Sequence, residues 1–318
     1  MLNEIATVID ANLNRASEGL RVVEDYLRFV RSESDLSTAL ANARRQLNQI
    51  EGIDSKIQQV MARDSAGDVR AKESPEKRVD IVALLTANFK RATEALRVLE
   101  EYTGNDAYNR LRYDVYELEK QVMAFALKPI LKPGVYLISH DVEVLKKGLD
   151  WGVSLIQLRD KDGDKPGVLE RAKILAPLAK DAGIPFMVND YLDIALLVDA
   201  DGLHTGQDDI SVAEQRRLLG DHKIIGRTTH TLEQGLNAQA EGADYVSVGP
   251  IWETPSKPNR DGIGFSYLEA AKRELHIPYV AIGGVDLSRC AEVMAYEPPL
   301  LGLIRDYENV PVILDRYF

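Results

Sequence analysis

Eight short apolar runs, each ending in polar residues, constrain this chain more than any other feature. They lie at 135–139, 153–157, 185–188, 201–204, 223–226, 245–248, 278–282 and 300–304. Between them, stretches such as 169–182, 212–219 and 232–241 carry helical spacing and often end in glycine. Strands that alternate with helices pair in parallel, and eight such units predict an α/β fold, a (β/α)8 TIM barrel. A doubly wound open sheet is the alternative, but no G-x-G-x-x-G follows a first strand. In a barrel the C-terminal ends of all strands share one face. The polar residues that end the runs are therefore expected to converge.

The second run ends in Gln157, Arg159 and Lys161, which alternate with Leu158 and Asp160. Two fixed cations and an amide aimed at one spot suit a polyanion such as a diphosphate. Asn189 and Asp190 end the third run, and Asp208 and Asp209 follow the fourth. Asp190 and the Asp208/Asp209 pair are hard oxygen ligands on neighbouring strands, suited to Mg2+ shared with a diphosphate. Thr228 after the fifth run, with Thr254, Ser256 and Lys257 after the sixth, can donate to phosphate oxygens. Gly283 and Gly284 after the seventh let a ligand approach the backbone and offer N–H groups to a second phosphate.

The first 127 residues are a different object. Residues 9–26 and 85–102 repeat each other at an offset of 76 (85 − 9), both reading A-N-x-x-R-A-x-E-x-L-R-V-x-E-[D/E]-Y. Apolar positions step by three and four, so each copy is an amphipathic helix. Further helices at 36–50 and 108–125 complete a small all-α bundle with an internal repeat. Asn12, Arg15 and Glu18, repeated as Asn88, Arg91 and Glu94, form a polar stripe. Two readings stay open: helix–helix salt bridges left by a duplication, or a shared polar cleft that binds a ligand. Arg63, Asp64 and Asp68 lie in a turn-like loop around Gly67 that is either solvated or faces a phosphate or metal. The expected organisation is a helical domain at 1–127, a Pro/Gly linker at 128–133 and the barrel at 134–318.

Composition narrows the partners. A net charge of −11 argues against nucleic acid and anionic membrane surfaces. One cysteine, Cys290, excludes an internal disulfide, and its helical setting suggests a packed core residue. No run spans a bilayer and no signal h-region opens the chain, so a cytoplasmic protein is expected. No G-x-x-x-x-G-K-[S/T] occurs. The histidines lack metal-ligand spacing, and His204 and His230 read as residues that orient loops.

From about Gly134 onward the motifs Q-x-R-x-K, N-D, G-Q-x-D, G-x-[S/T]-x-H, G-P-x-x-x-T-x-[S/T]-K and I-G-G occur in order. In this the chain resembles the thiamine-phosphate synthases. That family joins hydroxymethylpyrimidine diphosphate to hydroxyethylthiazole phosphate and releases pyrophosphate. The resemblance implies that Gln157, Arg159, Lys161, Asn189, Thr228 and Lys257 hold the pyrimidine diphosphate, with Arg159, Lys161 and Lys257 acting on the leaving group. It further implies that Asp190 and Asp209 take Mg2+. Thr254, Ser256, Gly283, Gly284 and the Ile304-Arg305 backbone would hold the thiazole phosphate. Thr228 stands where serine is usual, and Tyr191 where arginine often follows N-D.

The thiazole tautomerases share this barrel, but an isomerase has no diphosphate for Arg159, Lys161, Asp190 and Asp209 to bind. The N-terminal module resembles a helical domain often fused to such synthases and assigned as a hydroxymethylpyrimidine phosphate kinase, which implies ATP. A non-enzymatic dimerisation or regulatory bundle is the alternative, and a homo-oligomer is left open.

Overall fold

The computed structural model describes residues 2–50, 77–254 and 262–318. The chain divides into two compact units, Met1–Leu127 and Lys128–Phe318. Arg63, Asp64, Asp68, Ser256 and Lys257 lie outside the described residues.

In the second unit eight parallel strands close on themselves in chain order. They are β1 (Gly134–Ser139), β2 (Leu155–Leu158), β3 (Phe186–Asn189), β4 (Gly202–Thr205), β5 (Ile224–Thr229), β6 (Tyr245–Val248), β7 (Tyr279–Ile282) and β8 (Leu300–Leu303). β1 closes the ring against β8 with Gly134 opposite Leu300, and pairs β2 with Tyr136 opposite Leu155. Strand alternation splits the side chains into two cores. Tyr136, Ile138, Leu155, Met187, Ile224, Tyr245, Val280 and Leu300 fill the barrel lumen. Their neighbours, among them Leu137, Ile156, Val188, Ile225 and Val246, pack outward against the helices. Period-two burial on both faces explains why the runs read as continuously apolar.

Local signals set the helix ends. Asp141, Asp164, Ser211 and Thr231 cap four of the barrel helices by accepting backbone N–H groups two or three residues on. Gly152 and Gly183 end two of them at positive φ (+73° and +66°), where a side chain would be strained. The helix Val212–Leu219 falls where its spacing predicts. Lys165–Ala182 begins four residues earlier than its apolar pattern, because Asp164 caps it and Pro166 is tolerated in its first turn.

In the first unit the repeated segments form the helices Leu2–Asp25 and Ile81–Thr103. Ser34–Gln49 and Asp106–Leu127 follow them. The two copies cross where the repeat carries small residues: a Cβ on Gly19 would meet the Asn88 carbonyl oxygen at 2.7 Å. Leu20, Val23, Leu27, Leu85, Phe89, Leu96 and Leu99 bury the common core. Glu24 and Glu100, equivalent in the repeat, each gather two arginines. Glu24 takes Arg21 (3.4 Å) and Arg44 (2.5 Å), and Glu100 takes Arg97 (2.9 Å) and Arg112 (3.1 Å). No described helix is long and apolar enough to cross a membrane.

Candidate active site

The strand ends deliver their polar residues to one mouth. A cavity of about 120 Å³ there is lined by Gln157, Arg159 and Lys161 from β2 and the turn after it, and by Asn189 of β3 and Asp190 just beyond it. Thr228 of β5, Thr254, Gly283 and Ile304 complete the sequence-expected set on its wall. Lys161 Nζ donates to Asp190 Oδ2 at 2.7 Å. Asp190 adopts a left-handed φ of +61°, a strained conformation of the kind that clusters at functional sites.

An adjoining cavity of about 210 Å³ shares Thr254, Ile282, Gly283 and Ile304 with the first, and adds Gly284, Arg289 and Arg305. Two ligands could therefore lie side by side against a common wall. Gly283 and Gly284 have φ of +100° and +73°. A Cβ on Gly283 would stand 2.4 Å from Pro250, so backbone is presented here without side-chain cover.

A third cavity, of about 350 Å³, holds Asp190 with Asp209, and Lys165 beside Tyr191. Asp209 Oδ2 accepts from the Gly206 N–H at 2.8 Å, which fixes the carboxylate on its loop. Groups of three or more His, Cys, Asp or Glu that would cage a metal are absent among the described residues. Two carboxylates with open surroundings fit Mg2+, which keeps waters and takes much of its coordination from substrate phosphates.

Beneath the mouth runs a buried polar chain. Gln157 Nε2 donates to the Tyr136 hydroxyl, which lies 2.8 Å from the Tyr245 hydroxyl. Tyr245 reaches His204 Nδ1 at 2.8 Å, and His204 Nε2 reaches Thr228 Oγ1 at 3.0 Å. One direction satisfies every link: Gln157 donates to Tyr136, Tyr136 to Tyr245, Tyr245 to Nδ1, and the Nε2–H to Thr228. That leaves the Gln157 amide oxygen as an acceptor and the Thr228 O–H as a donor. Burial pushes the Tyr136 and Tyr245 hydroxyls far up, so both stay protonated.

Comparison with known proteins falls in with this geometry. The family described as thiamine monophosphate synthase matches residues 129–299, and the ThiD2 family matches residues 7–121. The chain is 39% identical over 315 residues to a thiamine-phosphate synthase of Synechocystis sp., covering 95% of this chain and 91% of that protein. It is 38% identical to one from Nostoc sp., covering 98% and 92%. The chain belongs to the thiamine-phosphate synthase family. Among solved structures, the thiamine phosphate pyrophosphorylase of Pyrococcus furiosus superposes with a TM-score of 0.54 at 29% identity. It covers 60% of this chain and 96% of its own. The chain is thus a transferase of thiamine biosynthesis by family.

Within this synthase-family barrel the structure adds residues that the sequence reading passed over. His204 does not orient a loop: it bridges Tyr245 and Thr228 inside the barrel and lines the mouth cavity. His230 does hold a loop, its Nδ1–H donating to the Gly249 carbonyl. Lys165 brings a cation beside Tyr191, its Nζ 5.4 Å from the ring centroid and 2.7 Å from Asp193. Arg289 reaches the second cavity, donating to the Gly284 carbonyl at 2.8 Å. Lys165 lies one residue past a capping aspartate, a signal that marks a helix start but not a site.

In the helical unit, Asn12 and Asn88 are buried, and each donates to the carbonyl four residues back at 2.8 Å. These amides are engaged within their own helices. Arg15, Glu18, Arg91 and Glu94 are exposed. A groove of about 480 Å³ in this unit is lined instead by Arg28, Ser34, Thr38 and Arg45 among others.

Proposed function

We propose that the barrel joins 4-amino-2-methyl-5-(diphosphooxymethyl)pyrimidine to hydroxyethylthiazole phosphate, forming thiamine phosphate and pyrophosphate. The observation that carries this reading is the convergence of Gln157, Arg159, Lys161, Asn189 and Thr228 on one cavity that shares a wall with a second, glycine-lined one. The pyrimidine would lie in the first cavity. The Gln157 amide oxygen would accept from its amino group, and Thr228 would donate to a diphosphate oxygen. Thr254, Gly283, Gly284 and Arg305 would hold the thiazole phosphate together with Ser256, and Lys257 would serve the diphosphate; Ser256 and Lys257 lie outside the described residues.

The C–O bond to the diphosphate breaks with its electron pair leaving on the phosphate oxygen. The aminopyrimidine ring delocalises the resulting methylene cation. Arg159 and Lys161 neutralise the departing charge at fixed positions. The thiazole nitrogen, held facing the methylene carbon, supplies the lone pair for the new C–N bond, and orientation replaces a protein nucleophile. Asp190 and Asp209 would hold Mg2+, which when bound adds charge neutralisation at the leaving group. Lys161, which pairs with Asp190 at 2.7 Å, stands at the mouth where its ammonium would also serve the diphosphate.

For the helical unit we propose phosphorylation of hydroxymethylpyrimidine phosphate from ATP, supported by the ThiD2 family match over residues 7–121. The exposed Arg15 and Arg91, with Arg63, Asp64 and Asp68 beyond the described residues, are its candidate groups. The test is a product-resolved assay of the full chain with hydroxymethylpyrimidine monophosphate, thiazole phosphate, Mg2+ and ATP. Thiamine phosphate formed from the monophosphate only with ATP supports both activities in series. Product only from pre-made pyrimidine diphosphate leaves the barrel reading and makes the helical unit a non-enzymatic module. No product from either pyrimidine refutes the synthase reading.

A further inference from the structure

Arg227 sits on β5 between two residues that face the lumen, so its side chain points outward, away from the mouth cavity. It is only 7% exposed, and no ion pair joins it to a carboxylate among the described residues. A buried guanidinium needs partners for its planar fork of donors. Those partners are three backbone carbonyls of the loop after β4 and the hydroxyl of Thr205 at the end of β4. Nη1 donates to Ile210 O (3.0 Å) and Thr205 Oγ1 (3.0 Å). Nη2 donates to Gln207 O (3.3 Å) and Asp209 O (3.2 Å).

This loop carries Asp209. Its other restraints are few: the Gly206 N–H donates to Asp209 Oδ2 at 2.8 Å within the loop, Gln215 of the helix Val212–Leu219 donates to Ile210 O at 2.8 Å, and Gln207 Nε2 donates to Thr228 O at 2.5 Å. Three of the loop's carbonyls accept from this one side chain, which itself lines none of the three cavities but braces the back of the third through Thr205, Asp209 and Ile210.

We propose that Arg227 is a positioning residue for the Asp209 carboxylate, setting divalent-ion affinity through the loop backbone. The proposal rests on the reading that Asp209 takes a metal. Groups that orient a metal ligand from behind it typically change affinity about 10- to 100-fold when removed. The fork geometry matters as well as the charge, so lysine should replace it poorly.

The test measures Mn2+ binding to the full chain by electron paramagnetic resonance, with and without inorganic pyrophosphate. It pairs this with the Mg2+ dependence of turnover and with thermal unfolding. Arg227→Met and Arg227→Lys should each weaken Mn2+ about 10- to 100-fold and raise the half-activating Mg2+ concentration to match. Turnover at saturating Mg2+ should recover to within about threefold, because Arg227 does not meet the reacting groups. Thr229→Val is the structural control: it faces outward on the same strand but bonds Tyr267 (2.7 Å), away from the loop. It should lower stability and leave Mn2+ affinity unchanged. Arg227 variants that bind Mn2+ like the parent, or a Thr229→Val that weakens it equally, overturn the proposal. Asp209→Asn separates the two readings: if it too leaves Mn2+ affinity unchanged, the metal assignment falls and the inference falls with it.

Discussion

Tyr245→Phe removes one oxygen from the centre of the barrel and tests the buried polar chain directly. The hydroxyl is fully enclosed and makes two hydrogen bonds of 2.8 Å, to Tyr136 and to His204. Each is worth about 1 kcal/mol net. Tyr136 keeps its donor from Gln157, but its own O–H loses its acceptor and His204 Nδ1 loses its donor, and leaving these buried groups unmet adds a penalty of about 1–3 kcal/mol. The expected loss is therefore about 4 kcal/mol. For a unit of this size each kcal/mol lowers Tm by about 2–4 °C, so a drop of roughly 12 °C is expected. Both tryptophans, Trp151 and Trp252, belong to the barrel unit, so their fluorescence reports its unfolding without the helical unit. Tyr136→Phe and the double variant close a cycle whose coupling should be about 1 kcal/mol. Loss of the oxygen should also free the His204 ring and Thr228, raising the KM for the pyrimidine diphosphate more than it lowers kcat. A Tyr245→Phe barrel within about 0.5 kcal/mol of the parent would refute the reasoning, because it would mean the hydroxyl is not a structural link.

Four further outcomes are expected. Gly226→Ala places a Cβ 2.1 Å from the Tyr245 ring, and should destabilise the barrel by about 3 kcal/mol in denaturant titration. Burial would raise the Asp160 carboxyl, but the N–H groups of Gly163 and Asp162 and the Arg171 guanidinium outweigh it and hold it below its ordinary value of 3.8. Its contribution is present above that value and is lost as pH falls through the lower folded one, so amide exchange at Asp162 and Gly163 should accelerate only below about pH 4. Tyr108 has a buried hydroxyl without a hydrogen-bond partner among the described residues, its pKa pushed up to about 12 by burial, so Tyr108→Phe should leave the helical unit as stable or up to about 1 kcal/mol more stable by far-ultraviolet circular dichroism. Burial, with Asp306 and Asp286 nearby, pushes the Cys290 thiol up to about 11, so a thiol reagent should label it at the rate of unfolding and not before.

The barrel was legible because each of its strands is buried on both faces, which compresses the hydrophobic signal into short apolar runs that end abruptly. Its ends were read less well. β5 continues through Thr229, past the apolar residues at 224 and 225, because Arg227, Thr228 and Thr229 each find a polar partner that pays the desolvation cost. Hydropathy alone cannot see partners that come from other strands. The same limit explains His204. Its sequence neighbours place it at a strand end, but its partners, Tyr245 and Thr228, are 41 and 24 residues away. In the helical unit the repeat was plain, but the role of its asparagines was not: Asn12 and Asn88 look like ligand groups until their bonds to Val8 and Leu84 are visible.

Strand periodicity also ties the two halves of the candidate site together. On β5, Gly226 leaves room for the Tyr245 ring, and Thr228 receives the polar chain and faces the mouth. Arg227, between them, faces the other way and holds the loop that carries Asp209. One strand thus positions a hydroxyl for the mouth cavity and a carboxylate for the neighbouring one, from opposite faces. A one-residue slip in its register would exchange the two faces, placing a guanidinium in the lumen and a hydroxyl behind the loop. The lumen offers no room for such an exchange: Gly226 already lies so close to Tyr245 that even a methyl group would collide. The packing that fixes the register of β5 is therefore also what fixes the geometry of the site.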